Sequence, residues 1–407
     1  MSSLRSFLLL LLLLQTSVPR DAGATQRPSN ATPMVASTDV FQSIGSAIEL
    51  ADGRIAVNDP VARRIVLLNT QLHSERVLLD SLRVTDRPTY GAQRGALFRW
   101  AADTLLFVDV GADALLLLRA DGSVVRTFAA PAKVSLLAFL SGEGGYPAMD
   151  VTHRVVVRGS LVRPRPSGPP SEPGIRTIVA DSIALLRVSL ETGNVDTLTY
   201  LQFDGMQVKV NALPGGGFGA LPYIRARRPV DAWAARANGS VLIVRGKTLR
   251  IDEITPERTI LERDRWLYPW ERLSDSAKSA LVDSAVSVAT GRSGAPSSGT
   301  LKYLKEPAEQ VADYYPAFVD QGGIADAENR VWIRLTATTS EGEPIYAVLT
   351  EDGAFERYVV LPRQAALVGF LRDSTVLIGA REPSGLRLQR WALSALPSAP
   401  SLGKTRR

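Results

Sequence analysis

The sequence contains no cysteine, two histidines and four methionines among 407 residues. Without cysteine there is no disulfide, no iron–sulfur cluster, no Cys-ligated zinc, no Cys nucleophile and no lipid-modified N-terminal Cys. His73 and His153 leave almost nothing for a His-based metal site or proton relay. Charge of one sign is also scarce. A net +6 over 407 residues is small, and a nucleic-acid footprint needs a clustered basic face. After the N-terminus no stretch approaches the roughly 20 apolar residues of a membrane-spanning helix. What remains is 45% hydrophobic, ordinary for a packed globular chain and too high for a disordered one.

The N-terminus reads as an export signal. A basic start at Arg5 precedes an apolar run from Phe7 to Leu14 and the small-residue site Ala22-Gly23-Ala24. Eight helical residues rise only about 12 Å, against a hydrocarbon layer of about 30 Å. We therefore expect a signal peptide over 1–24, a flexible linker over 25–37 and a periplasmic or extracellular location in a bacterium. A retained membrane anchor is the alternative. Cleavage after Ala24 would leave a charge of about +5.

One supersecondary unit then recurs. Residues 45–80 read as four short strands, Gly45–Leu50, Arg54–Asp59, Arg63–Asn69 and Glu75–Asp80, with Asp52-Gly53 as the first turn. Asp-Gly between apolar runs signals a hairpin, because both residues tolerate positive φ. Residues 95–129 repeat the plan, with turns at Ala101-Ala102-Asp103 and Asp121-Gly122. A weaker copy over 134–200 offers Val134–Leu140, His153–Arg158, Ile183–Ser189 and Asn194–Tyr200, interrupted by the Pro-rich insertion Val162–Pro173. Residues 230–262 turn at Asn238-Gly239, residues 319–361 at Glu328-Asn329 and Asp352-Gly353, and residues 366–392 at Asp373-Ser374.

Runs such as Leu105-Leu106-Phe107-Val108 are apolar throughout, whereas a sheet with one wet face would alternate. Small sheets packed radially give cover on both faces. The sixth unit lacks an outer strand, and the unassigned segment Asp39–Ile44 could supply it and close a ring. The phrases Glu49–Asp59 and Arg64–Asn69 resemble NHL-type and TolB-like six-bladed propeller repeats. The resemblance spans nearly the whole mature chain and implies a fold, with no specific activity. The expectation is an all-β, six-bladed β-propeller over 38–396, closed by an N-terminal strand, with a helical insertion (263–317) between blades 4 and 5 and a disordered tail over 397–407. A pair of β-sandwiches is the alternative.

In such a propeller, blade-to-blade connectors and second-to-third-strand loops share one face. Val162–Pro173, Leu201–Pro229 and Arg263–Tyr315 all fall there. Loops on a rigid scaffold are where binding residues usually sit. Ser274 can cap a helix running to about Val288, lying over the ring as a partial lid. Two clusters on these connectors are candidate ligand contacts: Arg225, Arg227 and Arg228, and the alternating aromatics Trp266, Tyr268 and Trp270. Arg forks suit carboxylate or phosphate, and aromatics stack on sugars or cations. They predict a shallow site for an anionic peptide or a saccharide. The competing reading packs the aromatics under the lid and pairs the arginines with Asp or Glu.

Catalytic motifs are sparse. Gly246-Lys247-Thr248 looks like the end of a phosphate loop, but Val241 stands where a glycine is required. Gly291-Arg292-Ser293-Gly294-Ala295 lacks the last glycine of a nucleophile elbow. No catalytic residue or cofactor is assigned. The expected role is a non-enzymatic scaffold that binds a ligand or an unknown protein partner, without nucleic acid. The alternative is a metal-dependent, lactonase-like hydrolase with Ca or another divalent cation at the axis. Glu49, Asp150, Asn211 and Asp320 would then supply oxygen ligands.

Overall fold

A computed structural model describes residues 32–81, 89–141, 145–159, 172–177, 179–205, 207–212, 216, 218–226, 228–270, 272–291 and 305–399. The expected signal peptide, Arg227, most of the Val162–Pro173 insertion, the side chain of Asp320 and the tail beyond 399 lie outside them.

The chain is built of strands with one α-helix. Strand β1 (Val35–Ala36) comes first. A first sheet holds β2 (Ser46–Glu49), β3 (Ile55–Asp59), β4 (Arg64–Leu68) and β5 (Ser74–Asp80). A second holds β6 (Ala96–Ala101), β7 (Thr104–Asp109), β8 (Ala114–Arg119) and β9 (Val124–Ala129). The third begins with β10 (Ala148–Met149) and β11 (Arg154–Arg158). Strand β12 (Gly174–Thr177) leaves it, and β13 (Ser182–Ser189) and β14 (Val195–Gln202) complete it. A separate three-stranded sheet pairs β12 with β15 (Gln207–Ala212) and β16 (Phe218–Pro222).

The fourth sheet holds β17 (Ala232–Ala235), β18 (Val241–Val244), β19 (Ile251–Ile254) and β20 (Ile260–Arg263). Helix α1 (Asp275–Gly291) follows. The fifth sheet holds β21 (Phe318–Ala325), β22 (Val331–Thr338), β23 (Pro344–Leu349) and β24 (Phe355–Val360). The sixth holds β25 (Ala365–Phe370), β26 (Thr375–Glu382), β27 (Gly385–Ala392) and, at its outer edge, β1. A parallel pairing of Trp233 with Gly322 joins the fourth sheet to the fifth.

Local chemistry explains the repeating hairpins. Gly53 and Gly239 close first turns at φ of +83° and +87°, which a side chain rarely adopts. Asp52, Asp150 and Asp326 each accept the amide of an arginine further along the turn and bond its guanidinium. Strands β3, β7 and β18 are buried almost end to end, as the apolar runs Ile55–Val57, Leu105–Val108 and Val241–Val244 require.

Apolar packing links the sheets in order. Leu67 and Phe107 belong to one cluster between the first and second, and Leu106 and Val157 to one between the second and third. Val156 packs with Ile243, Leu242 with Ile333, and Val348 with Ile378, joining the third sheet to the fourth, the fourth to the fifth and the fifth to the sixth. The last cluster brings Leu377 and Leu388 of the sixth sheet against Val57 of the first.

Several expectations shift. Val134–Leu140 is not a strand: Leu136–Phe139 forms a 3-10 turn capped by Ser135, and buries Leu136 and Phe139 in the second cluster. Its place as first strand is taken by β10. The outer strand of the sixth sheet is Val35–Ala36, inside the expected linker, and Phe41 adds one further bridge to Leu386. The connector 201–229 is not irregular throughout, because the β15–β16 hairpin occupies it. Residues 397–399 are not a free tail: Val360 donates to the Pro397 carbonyl and Ala399 to that of Tyr358.

Candidate functional site

Antiparallel order places first-to-second-strand turns at one end of each sheet. Second-to-third turns and sheet-to-sheet connectors share the other end. There, between the third and fourth sheets, lies an open groove of about 680 Å³. Its walls come from the end of β14, the start of β13, the turn after β18 and the segment after β20.

The floor is a buried charge network. Asp231, just before β17, accepts the amides of Gln202 and Gly246, both at 2.9 Å. Gly246 must be glycine, since a Cβ there would stand 2.1 Å from the Val230 carbonyl oxygen. The Arg245 guanidinium donates to Asp231 (2.8 Å), Asp252 (2.7 Å) and the Tyr200 carbonyl (2.9 Å). Burial alone would lower the pKa of Arg245, but its bonds to Asp231 and Asp252 outweigh that and raise it. Arg245 is therefore a fixed cation that ties two sheets together and has no vacant fork for a ligand.

The rim is different. Four cationic side chains and two carboxylates line the groove. Arg250 is paired with Asp252 and Glu262. Lys247, at the tip of the turn, and Arg265, just beyond β20, are exposed and have no ion pair among the described residues. Beside them Tyr200 is 62% exposed. Hydroxyls of Ser182 and Thr248 complete the polar lining. Such a surface attracts an anion, with charge and hydrogen-bond donors in one place.

The residues singled out from the sequence sit elsewhere. Arg225 is nearly buried, bonded to Asp204 (2.9 Å) and to the Gly205 carbonyl. Arg228 pairs with the buried Glu306 at 3.0 Å. Arg225 is held by a carboxylate of its own connector and Arg228 by one of the connector after the fourth sheet. Trp266, 3% exposed, is a core residue rather than a ligand platform. It stacks on Phe318 and Phe355, at ring distances of 6.0 and 5.9 Å. Tyr268 packs edge-on against Trp266 and is also buried, while Trp270 is half-buried between Tyr268 and Tyr314. The alternation in 266–270 is that of an anchored segment, whose in-facing residues are these aromatics.

The oxygen ligands of the metal reading belong to four different sheets. Glu49, ending β2, accepts the Arg372 amide and pairs with its guanidinium. Asp150 closes the β10–β11 turn. Burial pushes its carboxyl up, but bonds from Arg154 and Thr152 outweigh that and hold it below the usual range. Asn211 lies in β15, opposite Gly219, and Asp320 lies in β21. Among the described residues no three His, Asp or Glu side chains converge as a metal site would require. Helix α1 starts at its cap, with the Ala277 amide donating to Ser274 Oγ at 3.2 Å, and buries Val282 against Ala226 and Val311.

Sequence reading passed over the groove residues. Gly246-Lys247-Thr248 was the available signal: it is no phosphate loop, but a tight turn that needs its glycine and holds a lysine outward.

No family model matches the chain, and no curated protein matches it. Solved structures similar to it include a member of the duf4221 family from Bacteroides vulgatus, at 12% identity and a TM-score of 0.47, covering 87% of this chain and 95% of that one. A gluconolactonase from Xanthomonas campestris matches at 12% identity and a TM-score of 0.37, covering 93% and 99%. A virginiamycin B lyase from Staphylococcus aureus matches at 11% identity and a TM-score of 0.36, covering 88% and 98%. At such identities no residue role transfers to this chain.

Proposed function

We propose that this chain is an exported, six-bladed propeller that binds an anionic ligand in the groove between its third and fourth sheets. The ring reading is supported by the cyclic order of the apolar clusters, from Leu67–Phe107 round to Leu377–Val57, and by the pairing of β1 with β27. Export rests on the signal-like N-terminus. No helix among the described residues is long and apolar enough to cross a membrane.

The observation that carries the binding role is the contrast within one groove. Arg245, Arg250 and Asp231 are neutralised by partners, whereas Lys247, Arg265 and the carboxylate of Asp181 line the groove without an ion pair among the described residues, an unpaired balance of one positive charge. Loop cations without partners on a rigid scaffold are available to a ligand. Polyglutamate and tetragalacturonate, a peptide and a saccharide polyanion, test the reading by calorimetry. Binding should weaken between about 50 and 300 mM salt as screening shortens. Lys247→Glu with Arg265→Glu should weaken it at least about tenfold, the effect of two reversed rim charges. If neither polyanion binds, or the double variant binds like the parent chain, the proposal fails.

A further inference from the structure

We infer that the groove takes an acidic peptide segment of a protein partner, and that Leu267 is the apolar anchor of that contact. The inference rests on the groove being an anion site and adds the class of ligand. Leu267 is 88% exposed, between the buried Trp266 and Tyr268. Its protrusion is built. The Tyr268 amide donates to the Trp266 carbonyl at 3.0 Å, which closes a three-residue turn with Leu267 at its tip. Leu267 is not among the residues at positive φ, so this is the common inverse γ-turn and carries no strain.

The base of the turn is fixed at three points. The Trp266 amide donates to the Leu249 carbonyl at 3.0 Å, on the turn that also carries Lys247. The Trp266 ring lies between Phe318 and Phe355, and Tyr268 packs edge-on beside it. A leucine on a mobile loop would lose entropy on docking, but here the ordering is already done. Covering an exposed leucine side chain is favourable, and in the free chain that gain is not realised.

The surroundings name the partner. Arg265, two residues earlier, lines the groove together with Lys247 and Tyr200. Leu267 itself stands outside that lining, but it follows Arg265 by two residues, and the bond from the Trp266 amide to the Leu249 carbonyl holds its turn beside the one that carries Lys247. A uronate saccharide would meet the cations, but its hydroxyl-covered surface has no recess for a branched aliphatic tip. A peptide offers both, with Asp or Glu for Lys247 and Arg265 and apolar side chains for Leu267. Aromatic and Arg contacts around a rigid apolar centre are the composition of protein-binding hot spots.

The test uses the full mature chain and a random dodecapeptide library displayed on phage, with tetragalacturonate as a parallel probe. Enriched peptides should combine net negative charge with at least one large apolar residue. As synthetic peptides they should bind Leu267→Ala and Arg265→Glu at least about fivefold more weakly than the parent. Tetragalacturonate binding should not respond to Leu267→Ala. Thermal melting should show both variants folded, since both side chains are exposed. Acidic peptides that ignore Leu267→Ala overturn the anchor. Binding of tetragalacturonate through Lys247 and Arg265 with no peptide enriched overturns the peptide class and leaves the anion site standing. Silence from both probes overturns the two readings together.

Discussion

Phe41→Ala tests the junction between the two ends of the chain. Phe41 is 3% exposed and packs with Val57 of the first sheet and Leu377 and Leu388 of the sixth. Its amide donates to the Leu386 carbonyl at 2.8 Å, and the Arg64 guanidinium lies 5.6 Å from its ring centroid. Truncating a buried Phe costs about 3–5 kcal/mol, as lost transfer energy plus the cavity left behind. The cation–π contact adds about 0.5–1 kcal/mol. For a domain of this size each kcal/mol moves the midpoint by about 1–2 °C, so Tm should fall by about 4–12 °C. Differential scanning calorimetry reads this directly, with Val61→Ala, at an exposed site, as a control expected within about 0.5 kcal/mol. A fall below about 1 °C for Phe41→Ala would show that the N-terminal segment is not latched to the last sheet, and the ring reading would lose one of its supports.

Two more expectations follow from buried aromatics. Burial, with Asp109 nearby, pushes the Tyr90 hydroxyl up to about 12. Its stabilising contribution should be complete below about pH 10, the unfolded value, and be lost as pH rises towards the folded one; a urea series across that window that is unchanged by Tyr90→Phe would refute it. Trp266→Ala should cost about 3–5 kcal/mol of stability in urea unfolding, and a cost under about 1 kcal/mol would mean that the ring does not carry the seam between the fourth and fifth sheets.

Much of the fold was legible because the turns write themselves in short polar signals. Asp52-Gly53, Asp121-Gly122, Asn238-Gly239 and Asp352-Gly353 each place glycine at positive φ, and Asn329 and Ser374 take the same conformation without glycine. In the first and second sheets, where each strand was delimited, these positions set the limits to within a residue. The third sheet resisted. Its first strand is two residues long, too short to show a period, and the apolar run before it folds as a 3-10 turn. Likewise Val35–Ala36 becomes a strand only because β27 offers it an edge 350 residues away; nothing local marks it.

The site was less legible than the fold. A run such as Trp266-Leu267-Tyr268 tells a reader that alternate residues face opposite ways, but not which set faces in. Sequence alone leaves two readings of the larger rings, exposed as ligand contacts or packed under the helix. They are the buried set, because rings of that size fill the gap left where the fourth sheet meets the fifth. The arginines likewise follow the competing reading: Arg225 finds Asp204 and Arg228 finds Glu306, partners that no local spacing in the sequence names. Sequence gives charge, and only the fold gives its pairing.

The single parallel bridge at Trp233 and Gly322 has a mechanical corollary for the groove. It joins the fourth and fifth sheets into one eight-stranded slab, so the wall bearing Lys247 and Arg265 belongs to the heaviest block among the described residues. The facing wall, with Tyr200, is fastened to that slab by guanidinium ties from Arg245 and Arg187 and by two isolated backbone bonds, from the Asp231 amide to the Gln202 carbonyl and from the Val151 amide to the Ala237 carbonyl. A guest that pries the cleft wider works against swivelling side chains on one flank and a stiff anvil on the other.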